Sequence, residues 1–412
     1  MNFRTYTLPN MKFSHLFWSL WFIFFCAVQV QSQTKASDQT DQPEKPPSVL
    51  DTPVDFSGWK GITRNSKQFN EIRIGFFAPD ELDDPVGGPM LNAAALAVEE
   101  ANAAGGFQGI PYRLIKRWAY DPWGAGSKEV IRLVYHDSVW AVIGSLDGSA
   151  THIAEQIITK AWVPLLAPVS ADPSLTYIRI PWMFRLPPDD QKQAEIIVHK
   201  GIQALSLDKV GLITSTDHDG RIFALEILAK MKAEQTPPVF HFQLSQPSID
   251  FNDIVQRAAS FNPEGVIVRL PLVETLDLLD HFQNNELQIH VFIPWIPGLR
   301  EEDLTKRNNG DIYYVQPFSE TGNPAYAAFT RTYQKRYGTS PTPGAAYAYD
   351  AVNLVVQSLQ KSGLNRPGLR DAIAGIGDFQ GVTGKISWDN GGGNQAEPVL
   401  RTLFEGSSVT NR

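Results

Sequence analysis

The segment Ser145-Leu146-Asp147-Gly148-Ser149-Ala150-Thr151 joins an apolar run, VWAVIGSL, to a stretch with helical spacing, SATHIAEQIITKA. Ser149 is a residue type that caps helices, and the backbone N–H groups after it, those of Ala150 and Thr151, lie unpaired at the positive end of the helix dipole. A carboxylate docked there gains charge-assisted hydrogen bonds. The plainer alternative is that Ser149 only caps its own helix. A second loop at a strand end carries Ser170 and Ala171, and a third, Thr216-Asp217-His218-Asp219-Gly220, follows KVGLITST. Either one of its carboxylates, Asp219 among them, pairs with a ligand ammonium beside His218, or the aspartates cap the helix beginning at Gly220. Arg269 ends the run GVIVR and suits an anion or a planar carboxylate or carbonyl, unless it pairs with Glu274 or a loop aspartate. Trp123, in RWAYDPWG, and Trp295, after HVFIP, offer aromatic walls with N–H donors for a small, partly apolar ligand. The alternative for the tryptophans is surface packing against the segment around Trp59.

Other chemistries lack their residues. No GxSxG, GxGxxG or phosphate-loop pattern sits at a strand–helix junction. The histidines show no HxxxH spacing, and the acidic run Asp80-Glu81-Leu82-Asp83-Asp84 reads as a solvated loop rather than a metal site. A net charge of -8 with no long Lys or Arg run argues against a nucleic-acid surface. Neither a metal nor a cofactor is expected.

These loops need a scaffold that delivers them to one edge. From EIRIGFFAP at 71–79 onward, short apolar runs alternate with helical stretches in the order strand, turn, helix. That order predicts parallel strands joined by crossover helices, whose loops gather at one end of a sheet. VWAVIGSL and VPLLAP are nearly continuous apolar runs, as strands covered on both faces should be. A second copy of the pattern begins after Arg185-Leu186-Pro187-Pro188, where Asp189 is placed to cap a helix. After Phe318 three helices follow without strands, and KISWD and VLRTLFEG are expected to close the chain as a pair extending an existing sheet. At 412 residues, 43% hydrophobic and 19% charged, the chain suits two globular lobes.

The start of the chain reads as a leader. Leu16 to Val28 is a solid apolar block behind Lys12 and His15, too short to span a bilayer at ~20 residues. Cleavage after Ser32 is expected, with Met11 an alternative start, and a membrane anchor is the lesser alternative. Cys26, the single cysteine, lacks the flanking residues of a lipidation site; its removal with 1–32 leaves a mature chain without cysteine. Residues 33–70 form a polar, proline-bearing tether from which Trp59, Ile62 and Phe69 dock on the first domain.

The chain resembles periplasmic solute-binding proteins of the branched-chain amino acid and amide type, the type I fold that serves ABC transporters. The resemblance lies in GGPMLNAAALAVEEANAAGGFQG, VIGSLDGSATHIAEQ, VPLLAPVSADPSLT, FRLPPDDQKQAEIIV, KVGLITSTDHDG, AAYAYDAVNLVVQSLQKSG and FQGVTGKISWD, in that order. It implies an α/β protein of two doubly wound parallel-sheet lobes joined by three crossover strands, with the ligand in the cleft between them. Carried over, lobe 1 is 71–187 plus 320–379 and lobe 2 is 188–319 plus 380–412. It further implies a monomeric, non-catalytic periplasmic receptor that closes on a small molecule and presents it to a membrane permease. In such proteins the loop at Ser149 holds an α-carboxylate, and the loop at Asp219 faces the cleft. The chain departs from the amino-acid binders in having Ser170-Ala171 for Ala-Thr, His218 for a tyrosine, and Pro294-Trp295-Ile296-Pro297 where a carboxylate would hold the α-amino group. An amino acid, an amide and an organic carboxylate all remain as ligands. A sensing or partner-binding role of the same fold is the alternative, and an exported enzyme is a lesser one.

Overall fold

The computed structural model describes residues 60–245, 249–307 and 311–403. The leader at 1–32 with Cys26, and Trp59, lie outside the described residues. Among the described residues no helix is long and apolar enough to cross a membrane.

The first lobe is built on β1 (Ile72–Phe77), β2 (Tyr112–Lys116), β3 (Val142–Gly144), β4 (Leu165–Ala167) and β5 (Met183–Arg185). They form a five-stranded sheet in the order β2-β1-β3-β4-β5, every pair parallel. Between them run α1 (Gly87–Ala103), α2 (Ser127–Ile131), α3 (Gly148–Ala161) and α4 (Ser174–Tyr177). The second lobe alternates α5 (Asp190–Ile196), β6 (Val210–Ser215), α6 (His218–Ala233), β7 (His241–Leu244), α7 (Phe251–Ser260), β8 (Gly265–Arg269), α8 (Leu272–Asn284), β9 (His290–Ile293), α9 (Glu301–Thr305) and β10 (Ile312–Gln316). Its six-stranded sheet has the order β13-β10-β9-β8-β6-β7, where β13 (Val399–Leu403) is the one antiparallel member. The remaining elements are α10 (Pro324–Tyr337), α11 (Pro343–Ser362), α12 (Arg366–Ala374), β11 (Phe379–Gly381) and β12 (Gly384–Ile386).

The strands form where the apolar runs predict. Every residue of β6 and β8 is buried, since helices cover both faces of the sheet. The helices after β10 return to the first lobe, where α10 and α11 pack on α1. One apolar cluster runs from Ile72, Ile74 and Phe76 of β1, with residues of α1 and α11, to Phe223 and Ile227 of α6 and Phe292 of β9. The chain passes between the lobes in three stretches, after β5, after β10 and after β12. Two are stitched together: Arg185 N–H donates to Gly392 O at 2.9 Å and Asn394 N–H to Arg185 O at 3.0 Å.

Two local expectations are corrected. Only β13 extends a sheet, whereas β12 folds back on β11 as a separate two-stranded hairpin. In the docking segment Phe69 packs edge-on against Trp140 at 5.9 Å, but Ile62 stays 67% exposed.

Candidate functional site

In the first sheet the winding direction reverses between β1 and β3, and in the second between β6 and β8. Crevices open at the carboxyl ends of strands at such points, because the connections on either side leave toward opposite faces. All four of those strand ends line one cavity of about 540 Å³. Asp84 to Val86 come from the loop after β1, Leu146, Asp147 and Ser149 from after β3, Asp217, His218, Asp219 and Arg221 from after β6, and Arg269, Pro271 and Leu272 from after β8. Ile296 and Pro297, beyond β9, complete the wall.

On the first lobe the cap of α3 is Asp147, not Ser149: its Oδ1 accepts from Ala150 N–H at 2.7 Å. Ser149 already lies inside the helix. The Thr151 hydroxyl donates to Asp147 O at 2.6 Å and is itself fully buried against Ser145 Oγ at 2.9 Å. Burial pushes the Asp147 carboxyl above its usual range, although the Ala150 N–H opposes the shift. The Gly148 N–H points across to the second lobe.

There it meets a carboxylate. Asp217 caps α6 through Gly220 N–H at 2.7 Å, so the helix begins at His218 rather than Gly220. Asp219, in the first turn, accepts from Gly148 N–H at 3.0 Å. The anion position at the start of α3 is therefore filled from within the molecule. The approach needs a glycine: a Cβ on residue 148 would stand 2.7 Å from Asp219 Oδ1 and 2.8 Å from His218 Cδ2.

Arg269 stands behind Asp219. It is 7% exposed, and its Nη2 lies 3.7 Å from Asp219 Oδ2, beyond a good charge-assisted hydrogen bond. Nη1 donates to Leu270 O at 3.3 Å, and Nε is buried without a partner. Burial raises the Asp219 carboxyl to about 6, with the guanidinium pulling the other way. Asp190, nearby and buried, is pushed well above the carboxylate range by the loss of water.

Several expected residues lie elsewhere. Trp123 is 70% exposed, outside this cavity's wall, because its turn after β2 points to solvent. Ala150 is buried and contributes only the N–H that Asp147 takes. Ser170 is buried, its Oγ turned to Asp172 N–H at 3.4 Å, and the Ala171 carbonyl is taken by Asp190 N–H at 2.8 Å. Trp295 is buried against Tyr347 and lines a separate cavity of about 250 Å³ with Tyr314 and Gln316. Its backbone N–H donates to Gln193 Oε1 at 2.7 Å.

The sequence reading missed Asp172 and His152. Asp172 Oδ2 lies 3.0 Å from His152 Nε2 and 2.7 Å from His218 Nε2. Burial alone would raise the Asp172 carboxyl, but the two imidazoles and Ser174 outweigh it and hold it well below its usual value. The acidic run is not wholly solvated either: Asp84 Oδ1 accepts from Val86 and Gly87 N–H at 3.0 and 2.6 Å, in the turn that leads into α1 beside the cavity.

A family model described as periplasmic binding protein matches residues 71–401. A protein described as an amino acid binding protein, from Pseudomonas aeruginosa, is 24% identical over 308 residues, 73% of this chain and 80% of that protein. Among solved structures, the branched-chain amino acid transporter substrate binding protein LivJ from Streptococcus pneumoniae, in complex with isoleucine, superposes with a TM-score of 0.73 at 24% identity. The match covers 82% of this chain and 97% of that one. An R. palustris ABC transporter solute binding protein in complex with benzoate gives 0.73 at 20% identity, over 82% and 95% of the two chains. These likenesses establish the type I fold, and the relatives are binding proteins of transporters rather than enzymes.

Proposed function

The chain belongs to the periplasmic binding protein family, and on that footing we propose that it is a periplasmic receptor for a small solute bearing a carboxylate, an amino acid foremost. It captures the solute between its lobes and hands it to the membrane permease of an ABC-type transporter, after export on the leader at 1–32. The observation that carries this reading is the loose Arg269–Asp219 pair on the cavity wall. Opposite charges 3.7 Å apart, one with an unpaired buried Nε, leave each group short of a full partner.

A zwitterion meets both needs. Its carboxylate takes the guanidinium, which suits planar bidentate acceptors, and its ammonium takes Asp219. Leu146, Leu272 and Ile296 supply an apolar wall for the side chain. Isoleucine and benzoate, held by two structural relatives, share a carboxylate on an apolar body. Since Arg269 and Asp219 stand on the second lobe and Leu146 and Ser149 on the first, a solute touching all of them favours the shut arrangement by its differential contacts.

Thermal-shift screening of the purified protein against neutral amino acids, amides and aromatic acids tests the reading. A carboxylate-bearing class should raise Tm by linkage. Stabilisation by amides alone, or by none of these, would sink it. Asp219→Asn separates the candidates: it should weaken an amino acid about tenfold, ~1.4 kcal/mol, and leave an aromatic acid unaffected.

A further inference from the structure

Outside the Arg269–Asp219 pair, the junction holds three donors that this reading does not use. Two belong to the first lobe, His152 on α3 and Asp172 before α4; the third is His218 at the start of α6. Their ligand atoms all lie within 4.8 Å of one another. We propose that His152 Nε2, Asp172 Oδ2 and His218 Nε2 form a site for one divalent transition-metal ion of the zinc class, which ties the two lobes together.

The separations suit such an ion. Zinc bonds of ~2.0–2.1 Å put tetrahedral donors about 3.3 Å apart. The distances here, 3.0 Å from His152 and 2.7 Å from His218 to the shared carboxylate oxygen, need an outward shift of about half an ångström. Imidazole donors select zinc, cobalt, nickel or copper over magnesium or calcium, which prefer oxygen.

The surroundings aim the donors. His152 Nδ1 lies 3.2 Å from Glu155 Oε2, a buried carboxylate whose other oxygen has no partner. A carboxylate behind the far ring nitrogen fixes the tautomer that presents Nε2 to a metal. Asp172 Oδ1 is anchored by the N–H and hydroxyl of Ser174 at 2.8 and 2.7 Å, which leaves Oδ2 for the shared point. The His152 and His218 side chains keep 26% and 28% of their surface, so an ion has an entry path and a fourth position open to water or another donor. Two imidazoles bridged by a carboxylate alone would account for the contacts to Asp172. A protonated His152 donating from both ring nitrogens would reach Glu155 as well, so ion binding itself is what separates the two arrangements.

The test uses untagged protein stripped with chelator and kept free of solute, so that it stands apart from the receptor reading. One equivalent of Co2+ should give the visible absorption of a low-coordinate site, displaced by Zn2+, and Zn2+ but not Mg2+ should raise Tm. His152→Gln with His218→Asn keeps polar side chains at both positions; its folding is checked by circular dichroism, and it should lose zinc affinity at least a hundredfold. Absence of both the cobalt spectrum and the zinc shift would overturn the proposal. So would zinc affinity unchanged in the double variant. If that variant does not fold, Asp172→Asn is read for the same loss.

Discussion

Asp219 and Asp350 are two aspartates that burial pushes to about the same place, near 6, yet their surroundings differ. Asp350 on α11 is 1% exposed and fully served: Val382 N–H donates to Oδ1 at 2.8 Å, and Thr383 N–H and hydroxyl donate to Oδ2 at 2.9 and 2.6 Å. It ties α11 to the turn between β11 and β12. Asp219 has one amide, from the opposite lobe, and a guanidinium too far for a strong bond. A carboxylate whose acceptor sites are filled by its own chain is scaffold. One that is half filled has capacity for a solute.

The largest effect should come from the scaffold member. Asp350→Ala leaves two amides and a hydroxyl buried without an acceptor, and should cost about 3 kcal/mol in denaturant unfolding while solute affinity of the folded fraction stays within twofold. Next is the exchangeable member's neighbour: Arg269→Ala should weaken a carboxylate solute about a hundredfold by calorimetry, ~2.7 kcal/mol, with a small change in Tm. If the losses fell the other way round, the distinction between the two aspartates would be gone.

The pH dependence sharpens it further. Asp350 has a folded pKa of about 6 against an unfolded value near 3.9, so the folded protein holds the proton more tightly. That stabilisation is complete below about pH 4 and is lost as pH rises through about 6. The stability of the wild type relative to Asp350→Asn should fall by on the order of 2 kcal/mol between pH 4 and 7. A flat difference would mean that the three donors overcome burial and keep the group ionised throughout. The smallest effect is the cap: Asp147→Ala should cost about 1 kcal/mol, and Ser149→Ala much less, because Asp147 makes the cap bond.

The alternation of strand and helix was legible because strands covered on both faces must be almost wholly apolar, as VGLITS and GVIVR are. Arg269 was legible too, as a charge at the end of such a run. Asp147 and Ser149 are both capping types two residues apart, and the point at which β3 releases the chain decides between them, which composition does not encode. Trp123 and Trp295 were placed by residue type, but a tryptophan in a strand-end turn faces solvent or core according to packing around it. His152, Asp172 and His218 lie 20 and 46 residues from one another along the chain. Their meeting depends on how two lobes abut, so no spacing rule could reveal it. β12 carries a strand-like run, and its partner is set by the tight connection to β11.

Gly148 sets the clearance between the two halves. The atom nearest a hypothetical Cβ there belongs to the facing lobe, so each carbon added at that position acts as a shim. A series of Gly, Ala, Ser and Val would crowd Asp219 and His218 across the gap by graded amounts and loosen the contact of the residue 148 N–H with Asp219. Under the proposed receptor role, affinity should fall along that series in step with side-chain size, because the added carbons stand where the two lobes meet.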